Sequence, residues 1–180
     1  MPSTPYEAKG LLVASIRDDN PVVFIDERWL YECQGEVPEE VYSIPLGEGV
    51  VRRQGGDVTV IATSYMVTQA LRAAETLEKE GVDAEVIDPR SLKPLDEKLL
   101  LDSVKKTGRL VIADAGWRTC GIGAEIAALA AEKAFGYLKS PVMRVSLPDA
   151  PAPAGASLEE AYYPGPADIV AAAKKLLEGN

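Results

Sequence analysis

Two kinds of apolar pattern follow one another along most of this chain. Short continuous apolar runs predict buried β-strands at residues 58–62, 84–87, 110–113 and 141–146. Apolar residues three or four positions apart predict amphipathic helices at about residues 65–80, 94–106, 123–135 and 166–177. Such an alternation is typical of an α/β fold, in which helices cover both faces of a mostly parallel sheet.

Polar residues, prolines and glycines at the ends of these segments predict where the helices begin and end. Ser64 is a typical N-cap for the first of them, and Gly81 is placed to end it. Pro94 suits the first turn of the next helix, and Gly108 is placed to stop it.

A Gly-Gly pair predicts one departure from parallel pairing. Gly55 and Gly56 separate the apolar runs at 49–53 and 58–62, as they would in a tight β-hairpin. The predicted fold class is therefore α/β, three-layer, with a mostly parallel sheet and one antiparallel edge strand.

The beginning of the chain resembles half of an α/β unit. Helical spacing predicts a helix at 5–18, and the apolar run at 21–25 predicts a short buried strand. Because a parallel strand needs neighbours, we expect part of a domain to be missing. We also expect Val22, Val23 and Phe24 to lie at an interface or in a rearranged packing.

Two stretches lack a hydrophobic period. Residues 27–49 contain several glycines and prolines and an acidic run at 36–40, which indicates a linker or a long surface loop. Residues 148–156 are rich in proline and alanine, so an extended surface loop is predicted there.

Charge and composition narrow the possible functions. The formal net charge is -9, and no basic stripe is present, so we do not expect nucleic-acid binding, whereas a basic protein partner would be attracted. No apolar run is long enough to span a membrane. Cys33 and Cys120 form neither a CxxC pair nor a metal-ligand spacing, so we expect a reducing cytoplasm.

The chain contains no histidine. This excludes Ser-His and Cys-His nucleophiles and His-based zinc sites within the chain, although Lys, Asp, Glu and Tyr remain available for acid–base chemistry.

A glycine-containing turn at residues 121–125 partly matches a dinucleotide-binding fingerprint. The third glycine is missing, because Ile126 stands there, and Glu125 would repel a phosphate from the first helical turn. A tight turn with close helix–sheet packing is the favoured interpretation. A small nucleotide or anion binder that uses Gly121 is kept as a minor hypothesis.

Two further polar segments each admit two interpretations. Trp117 and Arg118 follow a predicted strand, and they form either a contact surface or a cover over the sheet edge. In the segment at 88–96, one interpretation is that Arg90 and Lys93 bind an anion. The favoured interpretation is that Arg90 pairs with nearby carboxylates.

The segment at 15–20 is rich in oxygen ligands. It suits either a hard cation or an Asx turn, and the residues alone favour the turn.

Several sequence segments, in the order in which they occur, resemble those of one protein family. They are IRDDNPVVF at 16–24, EVPEE at 36–40, IPLG at 44–47, DVTVIA at 57–62, AEVIDPRSLKPLD at 84–96, GWRTCGIGAEI at 116–126 and RVSLPD at 144–149. The chain looks like the beta subunit of the first, thiamine-diphosphate-dependent component of 2-oxoacid dehydrogenase complexes of the pyruvate, branched-chain or acetoin type. The resemblance covers almost the whole chain.

The resemblance implies a domain division. Residues 1–26 correspond to a remnant helix and strand of the pyrimidine-binding domain, residues 27–42 to a linker, and residues 43–180 to a transketolase carboxy-terminal-like domain. Residues 27–32 depart from many relatives, which carry a glycine after the tyrosine that corresponds to Tyr31, whereas this chain has Glu32. The substrate class of any one relative is therefore not assigned to this chain.

No catalytic or cofactor-binding residue of the family maps onto this chain. In the family, the glutamate that activates the aminopyrimidine and the active-site histidine lie in the half that is absent here. The diphosphate and magnesium motif belongs to the alpha subunit. Thiamine diphosphate and magnesium are therefore expected in the complete enzyme and not on this chain alone.

One family site maps in part. These beta subunits often hold a structural potassium ion at the turn between helix and strand. The matching positions are the carbonyls of Ser15 and Ile16, with Asp18 and Asn20.

The resemblance implies an assembly role. The chain is expected to be the carboxy-terminal part of such a beta subunit, located in the cytoplasm, with an alpha subunit, a second beta subunit and an acyltransferase core as partners. Oxidative decarboxylation of a 2-oxoacid is expected only in the complete enzyme. The alternative is a free-standing, non-catalytic interaction or dimerisation domain that forms homo-oligomers.

Overall fold

A single five-stranded sheet organises the protein in its computed structural model, which describes residues 1–178. The strands are β1 (Val50–Arg53), β2 (Val58–Ala62), β3 (Ala84–Asp88), β4 (Leu110–Trp117) and β5 (Met143–Leu147). The α-helices are α1 (Pro5–Arg17), α2 (Tyr65–Lys79), α3 (Glu97–Thr107), α4 (Ile122–Ala134), α5 (Ala156–Tyr162) and α6 (Pro166–Glu178). The last two residues of the domain predicted at 43–180 lie outside the described residues.

The strand order is β1-β3-β2-β4-β5. The pairs β2–β3, β2–β4 and β4–β5 are parallel, and β1 lies antiparallel to β3 at one edge. Helices α2 and α6 pack on one face of the sheet, and α3 and α4 pack on the other. The predicted fold class is confirmed.

Side-chain alternation along the central strands builds both halves of the core. On β2, Val60 points towards α2 and α6, whereas Ile61 points towards α3 and α4. Strands β2 and β3 are buried over their whole length, as expected for parallel strands covered on both faces. The α2–α6 side is rich in alanine, which lets these helices approach the sheet closely.

The predicted Gly-Gly hairpin is wrong, because β1 pairs with β3 and not with β2. The amides of Gly56 and Asp57 donate to the Asp83 carbonyl at 3.1 and 2.9 Å, so the connection crosses the start of β3. A Cβ on Gly55 would lie 2.3 Å from the carbonyl carbon of Ala84. Gly55 is needed for this close backbone approach rather than for a hairpin turn.

Two predicted helix starts also need correction. Ser64 precedes α2 but does not cap it with its side chain, because its Oγ donates to the Pro2 carbonyl at 2.9 Å. Helix α3 begins at Glu97 and not at Pro94, because Asp96 provides the N-cap oxygen. The end of α3 at Gly108, which has a φ of 74°, is confirmed.

The helix predicted at 5–18 is confirmed as α1, but the strand predicted at 21–25 is wrong. Among the described residues that segment pairs with no strand, and Val23 is 85% exposed. Val22 and Val23 are exposed and Phe24 is half-buried, so none of the three is fully buried by repacking within the chain. Their placement at an interface with another chain stays a prediction.

The two segments without a hydrophobic period are mostly irregular. Residues 27–49 contain only a 3-10 turn at Arg28–Leu30, and residues 148–155 contain no helix or strand. Helix α5, which begins at the end of the second segment, was not predicted from the sequence.

Candidate functional site

A buried cluster of charged residues joins α1 to the edge of the sheet. Glu7 lies in the first turn of α1, Arg52 lies on β1, Asp88 ends β3, and Arg90 follows it. Both carboxylates have no exposed side-chain surface. Buried charges of this kind are tolerated only when they are paired.

The pairing within the cluster is complete for both carboxylates. Glu7 forms ion pairs with Arg52 and Arg90. Asp88 accepts from Arg52 Nη2 at 3.0 Å and from the backbone amide of Arg90 at 2.9 Å. The Ser3 hydroxyl lies between the two, 2.8 Å from Glu7 Oε2 and 2.6 Å from Asp88 Oδ2.

The pKa values of the two carboxyl groups are shifted in opposite directions. Burial raises the pKa of Glu7, but the charges of Arg52 and Arg90 and the hydrogen bond from Ser3 outweigh it, so the pKa of Glu7 lies below its ordinary value. Burial, followed by repulsion from Glu7, raises the pKa of Asp88 above its ordinary value.

This cluster attaches α1 to the sheet and offers no free group for chemistry. The preferred interpretation of Arg90, that it pairs with a nearby carboxylate, is confirmed. Because its guanidinium is occupied by Glu7, Arg90 is poorly placed to bind an external anion.

A second polar feature is a cavity at the carboxyl ends of the parallel strands, where α/β proteins place ligands. The cavity has a volume of about 290 Å³, and Glu27, Thr63, Asp114 and Gly121 are among its lining residues. The Thr63 hydroxyl donates to Asp114 Oδ1 at 2.5 Å. Burial, followed by repulsion from Asp114, raises the pKa of Glu27.

Two carboxylates facing one cavity repel a phosphate, which argues against the nucleotide hypothesis. The Gly121 turn has the geometry of a tight turn, because a Cβ on Gly121 would lie 2.3 Å from the Trp117 carbonyl oxygen. The position of Asp114 directly after a predicted strand is a local signal for a site at the strand ends, whereas nothing in the sequence around Glu27 indicated that it lines the same cavity.

Trp117 and Arg118 lie where β4 ends beside β5. The Trp117 side chain is 60% exposed, so most of the ring is available for a contact with another molecule. Arg118 and Arg144 each donate through Nη1 to the backbone carbonyl of the other, at 3.2 and 3.0 Å. These reciprocal bonds fix both arginines along the strand edge.

The favoured Asx turn at the end of α1 is confirmed. Asp18 Oδ1 accepts from the Asn20 backbone amide at 2.8 Å and from Asn20 Nδ2 at 3.0 Å. These hydrogen bonds lower the pKa of Asp18. The Ser15 and Ile16 carbonyls lie in the last turn of the helix, where backbone acceptors lack intrahelical partners, and all these oxygens suit a hard cation.

Exposed apolar side chains are concentrated near the amino terminus. Ten of the fourteen large exposed apolar residues in the described chain lie before residue 42; they are Tyr6, Leu12, Ile16, Val22, Val23, Ile25, Trp29, Tyr31, Val37 and Val41. Exposed apolar side chains concentrated in one part of a chain are a feature of segments that contact other chains. We refer to nine of these residues, all except Trp29, as the apolar surface, because Trp29 packs against Tyr65 and Tyr163.

Within residues 1–178, no helix is both long enough and apolar enough to cross a membrane. The same residues contain no group of three or more His, Cys, Asp or Glu side chains arranged to hold a metal ion.

Comparisons with known proteins agree with this architecture. Residues 47–169 match the family model described as "Transketolase, C-terminal domain". Among solved structures, the chain aligns with that of a split gene transketolase, an inactive beta4 tetramer, with a TM-score of 0.67 and 36% identity, over 80% of this chain and 46% of that one.

Two curated relatives are similar along nearly the whole chain. The acetoin:2,6-dichlorophenolindophenol oxidoreductase subunit beta of Cupriavidus necator is 47% identical over 179 residues, which are 99% of this chain and 53% of that protein. The pyruvate dehydrogenase E1 component subunit beta of Bacillus subtilis is 42% identical, over 99% of this chain and 55% of that protein. The chain thus spans about half the length of the curated relatives it matches.

Proposed function

The chain belongs to the transketolase, C-terminal domain family, and on that premise we propose that it is the assembly part of a 2-oxoacid dehydrogenase-type beta subunit. Its similarity to two such subunits over 99% of its length supports this role. The observation that carries the proposal is the apolar surface, because a chain that acts alone would bury it.

The proposed partners are an alpha subunit, a second beta subunit and an acyltransferase core. The apolar surface supplies the subunit contacts, in which apolar residues are enriched at the buried centre. The acidic net charge of -9 favours a basic docking partner on the acyltransferase. The split gene transketolase to which the chain is similar is an inactive beta4 tetramer, which agrees with assembly without activity.

Thiamine diphosphate and magnesium belong, in this proposal, to the complete enzyme that decarboxylates a 2-oxoacid. The residues of this chain do not fit the diphosphate, because Glu27 and Asp114 line the cavity at the strand ends. The chain alone is therefore expected to be inactive, and both unpaired, exposed cysteines are compatible with a reducing cytoplasm.

Sedimentation velocity tests the assembly proposal. We expect the chain to self-associate or to form a complex with the alpha subunit from the same organism. The double variant Ile16→Ser, Val23→Ser should weaken that association by about tenfold or more, because it removes apolar contacts from the interface. Phe135→Ser is the matched control, since Phe135 is 74% exposed and lies outside the apolar surface.

The outcomes separate the main proposal from its alternative. A chain that binds itself but ignores the alpha subunit is a free-standing dimerisation domain. A strict monomer that ignores the alpha subunit and the acyltransferase contradicts both. Reduction of 2,6-dichlorophenolindophenol with a 2-oxoacid should require the complete enzyme.

We further propose that the turn formed by Ser15, Ile16, Asp18 and Asn20 contributes ligands to a potassium ion. Potassium chloride should raise the melting temperature more than choline chloride at equal ionic strength, because the ion binds only the folded turn. Asp18→Ala should abolish this difference, whereas the neighbouring Asp19→Ala should retain it. Equal effects of the two salts on the unmodified chain contradict the proposal.

A further inference from the structure

A pocket walled by aromatic rings lies between the linker, α2 and α5. Its volume is about 360 Å³. Trp29 packs edge-on against Tyr65, with ring centroids 4.9 Å apart, and against Tyr163, with centroids 4.5 Å apart. Trp29 is 43% exposed, so the ring cluster remains open to a ligand. We call this the aromatic pocket.

The charges around the aromatic pocket are all of one sign. Glu159 and Glu160 of α5 line it, both exposed, and none of its lining residues is basic. Arg28, the chain neighbour of Trp29, does not line it. Aromatic faces attract cations through their quadrupole, and the two carboxylates add to that attraction.

A buried amide in the same pocket needs a hydrogen-bond partner. Gln69 lines the pocket and is only 4% exposed. Its Nε2 atom has no hydrogen-bond partner among the described residues. A buried donor without a partner is costly, and because the atom itself is inaccessible, a ligand supplies an acceptor only when the Gln69 side chain rotates towards the pocket.

We propose that the aromatic pocket binds a lysine or arginine side chain presented by a peptide segment of another protein. The cationic group meets the rings and the two carboxylates, and a backbone carbonyl of the same peptide accepts from Gln69 once that side chain rotates towards the pocket. A simple alkylammonium ion supplies the charge but no acceptor, and an anion is repelled. The inference goes beyond the assembly role, because it needs only a basic side chain and not a particular complex.

The peptide acetyl-Gly-Arg-Gly-amide is the probe for this site. The chain has two tryptophans, so the variant Trp117→Phe leaves Trp29 as the only reporter of tryptophan fluorescence. We expect a saturable change in Trp29 fluorescence and in the side-chain amide resonances of Gln69. The peptide with citrulline, which has the same shape without the charge, should bind about tenfold more weakly.

Matched variants separate the site from general electrostatic attraction. Glu159→Gln, Glu160→Gln should weaken arginine-peptide binding by about tenfold. Glu75→Gln, Glu132→Gln changes the net charge equally at exposed positions outside the pocket and should leave binding unchanged. Equal binding of the arginine and citrulline peptides, or equal weakening by the two double variants, overturns the proposal. So does an arginine peptide that changes neither signal.

Discussion

Glu7 of α1 and Asp88 at the end of β3 are buried carboxylates that share one hydroxyl, Ser3 Oγ, at 2.8 and 2.6 Å. Arg52 forms an ion pair with both of them. The amino-terminal helix is thereby attached to the carboxy-terminal sheet through two carboxylates that water cannot reach. The helix and the sheet should therefore unfold as one cooperative unit.

The variant Glu7→Gln tests how strongly this cluster contributes to stability. It leaves two arginines with one carboxylate in a buried site, so the free energy of unfolding should fall by about 3–5 kcal/mol. Urea unfolding followed by circular dichroism measures the change. Asp102→Asn, which breaks an exposed pair with Lys98, is the control and should leave the midpoint nearly unchanged. Equal effects of the two variants would show that the cluster contributes no more than a surface pair.

The pH dependence of stability follows from the pKa of Glu7. Because the folded pKa lies below the ordinary value of about 4.5, its contribution is fully present above that value and is lost as pH falls through the folded pKa. The pKa of Asp88 is raised, so its contribution to stability is instead lost as the pH rises through its folded pKa. The stability difference between the unmodified chain and Glu7→Gln should be constant above about pH 4.5 and should shrink as the pH falls below it. Urea midpoints above and below this pH measure it, and a constant difference contradicts the assignment.

Gly55 and Gly56 are adjacent but should tolerate an added methyl group very differently. The Cβ of Gly55→Ala would lie 2.3 Å from the Ala84 carbonyl carbon and the Glu85 nitrogen, so a loss of about 3 kcal/mol is expected. For Gly56→Ala the nearest atom is Asp83 Oδ2 at 3.8 Å, and the change should be within about 0.5 kcal/mol. Thermal unfolding of both variants provides the comparison. Similar melting temperatures would contradict the crossing of β3 by this connection.

Asp96 should stabilise the chain at two places. It accepts from the Leu99 amide in the first turn of α3 and from the Gly49 amide before β1, each at 3.1 Å. Asp96→Ala is therefore expected to cost about 1–2 kcal/mol, as for the loss of an N-cap. Asp102→Ala, in the same helix and exposed, should have little effect. Chemical denaturation distinguishes the two, and a neutral Asp96→Ala would exclude the capping role.

The sequence indicated more of the fold than of the site. Arg90 was correctly expected to pair with a carboxylate, but its partner, Glu7, was not identified. The aromatic pocket was also missed, because Trp29, Tyr65 and Tyr163 are far apart in the chain. Local spacing carries no information about which distant side chains meet.

The sequence by itself determined the alternation of strands and helices and the family, whereas it placed the antiparallel edge strand beside the wrong neighbour. Hydrophobic periodicity and ordered motifs are local properties, so they can be detected before folding is considered. Only the tertiary structure decided that β1 lies beside β3 and that the segment at 21–25 stays unpaired. It also decided that Glu7 and Asp88 share Ser3. Strand order and buried ion pairs depend on the packing of distant segments, which a local pattern does not record.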